Sequence, residues 1–309
     1  MKKAIVTGAT SFIGLHLINK LVKENWKVYA VVRKGSSKAV LIPSDKQIEN
    51  IYLDMDEYSR MGEFIKEPCD VYVSLAWNGT RGEERADAKR QEDNYIYSMK
   101  ALEAVKRIGC KIVISAGSQA EYGPMKDKVD EEAFCKPNTQ YGIWKLKYYE
   151  DGMSFCKKHG ISFKEPRFFS LYGADDNEKT MILSILDDMI NNRPCKMTQC
   201  IQLWDFLYIE DAVEGVFKLM SVPCVDGAYN FGTGDIRPLK EFVMEMYRLT
   251  HSTSQLLFGA VPYPPTGMVS VCPDINKLQT QTGWGAQITF ADGIQKIIEH
   301  KTAIRGKQI

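Results

Sequence analysis

The stretch Thr7-Gly8-Ala9-Thr10-Ser11-Phe12-Ile13-Gly14 decides the fold. Before it stands Ala4-Ile5-Val6, a short apolar β-rich run. After it, apolar residues at Phe12, Ile13, Leu15, Leu17, Ile18, Leu21 and Val22 recur at helical spacing as far as Glu24. Glycine lets the chain turn tightly and lets backbone approach a pyrophosphate. The helix that follows offers free N–H groups and the positive end of its dipole. Set between a first strand and a first helix, the turn reads as a dinucleotide-phosphate site formed by Gly8, Thr10, Ser11, Phe12, Ile13 and Gly14.

Outward from this turn, strand and helix patterns alternate. Residues 27–32, 51–53, 70–75, 111–115 and 161–168 read as strands, and 85–108 and 141–158 as helices. Such alternation implies parallel strands joined by crossover helices, a doubly wound parallel α/β sheet. The pattern loosens after Gly173. Residues 181–191, 239–249 and 291–300 read as helices, 206–209 and 229–231 as short strands, and 261–265 as a proline-rich loop. The expected division is a dinucleotide-binding domain over 1–173, with 204–233 returning to it. A smaller C-terminal α+β substrate lobe would be built from 174–203 and 234–309.

The chain has 309 residues, 44% hydrophobic and 26% charged, with a formal net charge of +1, so no nucleic acid or anionic membrane is implied as a partner. Its eight cysteines form no C-x-x-C pair and no zinc-ligand spacing, and each reads as a small core residue with a reduced thiol. No metal site is expected. The apolar stretch after Met1-Lys2-Lys3 is too short for a signal-peptide core, and no run reaches transmembrane length. A cytoplasmic protein is the expectation.

The end of the second strand bears on the choice of dinucleotide. NAD sites place a carboxylate there for the ribose 2′-hydroxyl. Here the sequence runs Val31-Val32-Arg33-Lys34-Gly35-Ser36-Ser37, without one. Arg33 can stack on adenine and pair with a 2′-phosphate, with Lys34 as the competing cation, so NADP is favoured and NAD stays possible.

Tyr141-Gly142-Ile143-Trp144-Lys145 carries the chemistry. Residues four apart share a helix face. An ammonium beside a phenol favours the phenolate and lowers its pKa, fitting Tyr141 for proton exchange near neutral pH. Upstream, the strand at 111–115 runs into Ala116-Gly117-Ser118-Gln119-Ala120-Glu121-Tyr122-Gly123. Ligands bind at the carboxyl ends of such strands, which puts Ser118 and Gln119 beside the substrate.

These segments resemble the extended short-chain dehydrogenase/reductase family, which contains nucleotide-sugar epimerases, dehydratases and ketoreductases. Its turn reads T-G-x-x-G-x-x-G, with Ser11 here replacing the middle glycine and offering a hydroxyl to phosphate. Ala116 to Gly123 resembles S-[ST]-x-x-[VE]-Y-G, and Tyr229-Asn230-Phe231-Gly232-Thr233-Gly234 matches Y-N-[IV]-G-[ST]-G. Residues 165–173 resemble R-x-x-N-V-Y-G with Ser170 in place of asparagine; 204–211 resemble R-D-F-x-Y-V-x-D with Trp204 in place of arginine. The resemblance implies a Rossmann domain in which Ser118 hydrogen-bonds the reacting oxygen, Tyr141 carries the proton and Lys145 also holds the nicotinamide ribose. It further implies that Asn94 supports Lys145 through water, that Asp54 and Met55 flank the adenine, and that Leu75, Ala76 and Trp77 lie beside the nicotinamide. Trp77, Ser118, Gln119, Ser170 and Trp204 would meet the substrate, and the helices at 85–108 and 141–158 would form a homodimer interface.

The expected function is an NAD(P)-dependent epimerase or ketoreductase acting on a sugar, most naturally a sugar nucleotide. A 4,6-dehydratase carries an acidic pair after the active-site serine or threonine, where Gln119 and Ala120 stand here; Glu121 keeps that option open. Family arginines that clamp the substrate diphosphate are replaced by Trp204 and Pro264, which leaves Arg193, Lys196 or Arg237 to supply the charge. A dehydrogenase of a non-nucleotide carbonyl and a non-catalytic NADP-binding regulator are the competing readings.

Overall fold

A computed structural model describes residues 1–125, 127–263 and 268–306. The first half runs β1 (Lys3–Thr7), α1 (Phe12–Lys23), β2 (Lys27–Val32), β3 (Ile48–Tyr52), α2 (Met61–Phe64), β4 (Val71–Ser74), α3 (Ala88–Ile108), β5 (Ile112–Ser115), β6 (Gly117–Ser118), α4 (Gln140–Lys158) and β7 (Ser162–Phe168). The second runs β8 (Leu171–Tyr172), α5 (Met181–Ile190), β9 (Cys195–Met197), β10 (Leu203–Trp204), β11 (Leu207–Tyr208), α6 (Ile209–Ser221), β12 (Gly227–Phe231), β13 (Arg237–Pro238), α7 (Leu239–Leu249), β14 (Leu256–Phe258), α8 (Asn276–Thr282) and α9 (Phe290–Gly306).

The main sheet has the order β3-β2-β1-β4-β5-β7-β12, every pairing parallel, with β6 beside β7. This is the doubly wound α/β sheet that the alternating pattern implies. Strands β1 and β4 are covered on both faces, which is why they read as continuous apolar runs. The order reverses between β1 and β4, and a doubly wound sheet opens a crevice at that reversal. Residues Gly227–Phe231 pair in register with Lys164–Phe168, so a late segment closes the sheet edge.

Local chemistry explains where the elements depart from the sequence pattern. The long helix starts at Ala88 because the Asp87 side chain accepts the Arg90 N–H at 3.0 Å and caps it. Residues Gly82–Ala86 before it form a separate 3-10 turn. Strands β8, β10, β11 and β13 are two residues long, too short for any periodicity to show. An aromatic cluster of Tyr172, Phe206, Phe242 and Phe290 packs elements of the second half together, with ring centres 4.8–6.0 Å apart.

Beneath the carboxyl ends of β5 and β7 lies a buried charge cluster. Arg167 Nε donates to Glu121 Oε2 at 2.8 Å and to Glu165 Oε2 at 3.1 Å. All three side chains are almost fully buried, and the guanidinium lies against the rings of Tyr122 and Tyr149. Burial, with the Glu121 charge second, pushes Glu165 well above the usual carboxylate range, which favours its protonated form. Removing the cation strands the Glu121 charge, whereas exchanging a protonated carboxyl for an amide changes little. Arg167→Met is therefore expected to lose about 3–5 kcal/mol of stability in urea denaturation at neutral pH. Glu165→Gln is expected to stay within about 1 kcal/mol of the parent. Equal losses for the two variants would show Glu165 to be ionised.

Candidate active site

The β1 turn and the segment after β4 meet at the reversal of the sheet. Gly8 has φ +66°, and a Cβ there would lie 2.8 Å from the Ala76 nitrogen, so no side chain fits. Ser11 Oγ accepts the Gly14 N–H at 3.1 Å and caps α1. The hydroxyl read as a phosphate donor thus has a helix amide as its first partner. Gly14 lies inside α1, out of the groove wall.

A groove of about 500 Å³ runs from this turn across the end of β2. Gly8, Thr10 and Ser11 form one side; Asp54, Met55, Leu75, Ala76 and Trp77 form the other. Arg33, Ser36, Ser37 and Lys38 flank its outer end, and neither Arg33 nor Lys38 has an ion-pair partner among the described residues. Lys38 escaped the sequence reading because nothing in the pattern marks it. Lys34 departs from expectation: its ammonium pairs with Glu57 at 2.6 Å, outside the groove. A close backbone approach, a helix N-terminus and cations at the far end suit a dinucleotide.

A second cavity, of about 840 Å³, shares Thr10, Ser11, Lys38, Leu75 and Trp77 with the groove and adds Phe12, Ile13, Ser118, Tyr141 and Lys145. Two short-range features place the last three. Thr139 caps α4 by accepting the Gly142 N–H at 3.1 Å, and α4 packs so closely on the Ser118 turn that a Cβ on Gly142 would lie 2.3 Å from Ala120 O. Glu121 Oε1 accepts the Ser118 N–H at 2.7 Å, while Ser118 Oγ accepts the Ala120 N–H at 3.2 Å. Gln119 lies on the 3-10 turn behind Ser118 and lines neither cavity.

The electrostatics differ from the simple Tyr–Lys picture. Burial pushes Tyr141 up to about 12, and the nearby Ser118 hydroxyl and the Arg85 charge pull it back only in part. Burial lowers Lys145 to about 8, against the pull of Glu121 and Glu165. The Lys145 ammonium donates to Ala116 O at 2.6 Å and lies 3.9 Å from the centre of the Trp77 ring. The cation that lies over the phenol ring is Arg85, its guanidinium carbon 4.6 Å from the ring centre. Asn94 is buried on α3, where its amide accepts the Asn78 N–H at 2.9 Å and donates to Asn78 O at 2.8 Å. It holds the loop after β4, with no direct hydrogen bond to Lys145 among the described residues.

A third cavity, of about 400 Å³, adjoins the second through Arg81, Leu171 and Asp176. Ser170 and Trp204 line it, joined by a 3.0 Å hydrogen bond from the indole N–H to the Ser170 hydroxyl. Its cations are Arg81, paired with Asp176 at 2.6 Å, and Lys179. Arg193 instead pairs with Asp187 and Asp188, Arg237 with Asp235 and Glu245, and Lys196 is exposed on β9; none of the three lines a cavity described here. Pro264 lies outside the described residues. All eight cysteines are free. No helix among the described residues is long and apolar enough to cross a membrane.

The model of the NAD dependent epimerase/dehydratase family matches residues 4–232. The chain is 24% identical to CDP-abequose synthase of Salmonella muenchen, over 97% of this chain and 98% of that one. It is 25% identical to UDP-N-acetyl-alpha-D-glucosaminuronate decarboxylase of Bacillus cytotoxicus, over 96% and 97% of the two chains. Among solved structures, it superposes on UDP-glucose 4-epimerase of Thermotoga maritima, solved with UDP-glucose, at a TM-score of 0.88 and 18% identity, covering 98% of this chain and 99% of that one. It superposes on UDP-glucuronic acid 4-epimerase of Bacillus cereus, solved with NAD, at 0.83 and 21% identity, covering 98% and 99%. At such identities the superpositions show a shared fold.

Proposed function

Because this chain belongs to the NAD dependent epimerase/dehydratase family, we propose that it is an NAD(P)-dependent epimerase or ketoreductase of a sugar nucleotide. One observation carries the reading: Ser118, Tyr141 and Lys145 converge on a cavity that is continuous with a groove suited to a dinucleotide. The dinucleotide, when bound, supplies or accepts hydride. Tyr141 gives or takes the proton at its hydroxyl, and Ser118 donates a hydrogen bond to the same substrate oxygen. Lys145 holds the nicotinamide ribose, while Leu75, Ala76 and Trp77 form the wall beside the ring. Asp54 and Met55 border the adenine. Residues 1–173 with 204–233 serve the dinucleotide, and 174–203 with 234–309 serve the substrate.

NADP is the favoured cofactor. Strand β2 ends without a carboxylate, and Arg33, Ser36, Ser37 and Lys38 present hydrogen-bond donors where a 2′-phosphate would lie. The sugar nucleotide fits the second and third cavities, with Trp204 and Ser170 as its outer wall. Arg81 and Lys179 supply the positive charge that Trp204 cannot. The names of the relatives support this substrate class, since several act on UDP- or CDP-linked sugars. The protein works in the cytoplasm as a homodimer joined through α3 and α4, where Ile143 is left exposed. A light-scattering mass of one chain at micromolar concentration would overturn the dimer.

A screen of UDP-, CDP- and dTDP-sugars with NADPH and NADH, followed by absorbance and product analysis, tests the activity. Turnover is expected with at least one sugar. Tyr141→Phe should lower kcat by roughly 10²–10⁴-fold while leaving dinucleotide affinity nearly intact. A variant keeping half of the parent rate would remove Tyr141 from the mechanism, and bound dinucleotide without any turnover would favour the regulator.

NADP(H) should bind more tightly than NAD(H), and Arg33→Ala should narrow the difference by about tenfold or more, the effect of losing one charge-assisted hydrogen bond. Calorimetric titration that ranks NAD(H) first would reverse the cofactor assignment.

A further inference from the structure

Arg85 sits on the Gly82–Ala86 turn in a stretch crowded with charge, Arg81-Gly82-Glu83-Glu84-Arg85-Ala86-Asp87-Ala88-Lys89-Arg90. Its neighbours behave as surface arginines do: Arg81 pairs with Asp176, and Arg90 with Glu84 and Asp87. Arg85 makes no ion pair or hydrogen bond among the described residues, and its Nε is buried without a partner. Its guanidinium lies instead 4.6 Å from the centre of the Tyr141 ring. Arg85 lines neither the groove nor the two cavities described above.

We propose that Arg85 is a positioning residue for proton transfer: its fixed charge, held against the Tyr141 ring, stabilises the phenolate relative to the phenol. The inference rests on Tyr141 being the acid/base group. A cation attracts an aromatic face in either state, but it attracts a ring bearing a full negative charge more strongly. The groups facing Tyr141 come from four elements. Ser118 and Glu121 approach from the turn after β5, Glu165 from β7 with Arg167 against it, Arg85 from the loop after β4, and Lys145 from α4 itself. Burial and the two glutamates raise the phenol; Ser118 and Arg85 lower it. Lys145, lowered to about 8, is neutral before a phenol near 12 ionises. Guanidinium groups stay charged throughout that range; Arg167 is engaged by Glu121 and Glu165, whereas Arg85 lies on the ring itself.

The test needs no substrate, and its result is independent of the proposed reaction. Genetically encoded 3-fluorotyrosine at position 141 gives one 19F signal whose shift follows ionisation, and fluorine lowers the phenol pKa into a milder pH range. The titration midpoint is read in the parent, Arg85→Met, Arg85→Gln and Arg85→Lys, with circular dichroism at each pH to confirm folding. Loss of a charge at this distance should raise the midpoint by about one pH unit or more in the Met and Gln variants. Arg85→Lys should keep at least half of the lowering. Should the Met variant fail to fold, the Gln variant supplies the uncharged state. An unchanged midpoint in a folded uncharged variant overturns the proposal. So does an Arg85→Lys midpoint equal to that of the uncharged variants, because the effect then belongs to shape and not to charge.

Discussion

One buried arginine organises the carboxyl end of the sheet. Arg167 projects from β7 into a space closed by the rings of Tyr122 and Tyr149, and it holds two carboxylates through a single Nε–H. Two ionised carboxylates on one buried cation would leave an uncompensated charge, and burial works against this by favouring the protonated form of Glu165. Glu121 is then free to serve two partners. One oxygen takes Arg167, and the other takes the Ser118 N–H at 2.7 Å. The place of Ser118 beside Tyr141 is thus fixed from beneath by the carboxylate that Arg167 of β7 holds.

This cluster also explains why the tyrosine and the lysine do not share one simple electrostatic field. Glu121, and Glu165 when it is ionised, act on both groups with the same sign, raising each of them. Burial acts with opposite signs, because the phenol is neutral when protonated and the ammonium is charged. The two values therefore move apart, Tyr141 up to about 12 and Lys145 down to about 8. The Ala116 carbonyl and the Trp77 ring compensate the buried ammonium, which places it on the wall shared with the dinucleotide groove.

Features carried by short-range pattern were legible in the sequence. The β1 turn, the Tyr141–Lys145 spacing and the strand leading to Ser118 each lie within one or two elements, and periodicity finds them. Ser11 shows the limit of reading a hydroxyl by its type: a serine at that position is also the helix cap, and the cap is a local bond made first. Lys34 and Arg33 are adjacent, yet only Arg33 faces the groove; Glu57, twenty-three residues away, claims Lys34. Arg85 was illegible for a different reason. A run of mixed charge before a helix reads as a solvated helix start, and only the chain's return through α4 puts a ring beneath that guanidinium.

The loop between β4 and α3 gives the site its unity, and two buried amides on α3 hold that loop. Gln91 accepts the Trp77 indole N–H at 2.6 Å and donates to Gly79 O and Glu84 O at 2.9 and 3.0 Å. Asn94 holds both the N–H and the carbonyl of Asn78. Leaving such groups unpaired in the interior costs about 1–3 kcal/mol each, so the loop backbone is firmly placed despite its polar sequence. Three side chains leave that backbone in different directions. Trp77 lies under the Lys145 ammonium, Arg81 enters the wall between the outer cavities, and Arg85 covers the Tyr141 ring. Trp204 lines the outer cavity without a charge, and one of the two cations in the wall of that cavity, Arg81, rides on this loop. Asn94 thus holds the loop backbone directly through Asn78. It fixes the backbone from which Trp77, Arg81 and Arg85 are presented.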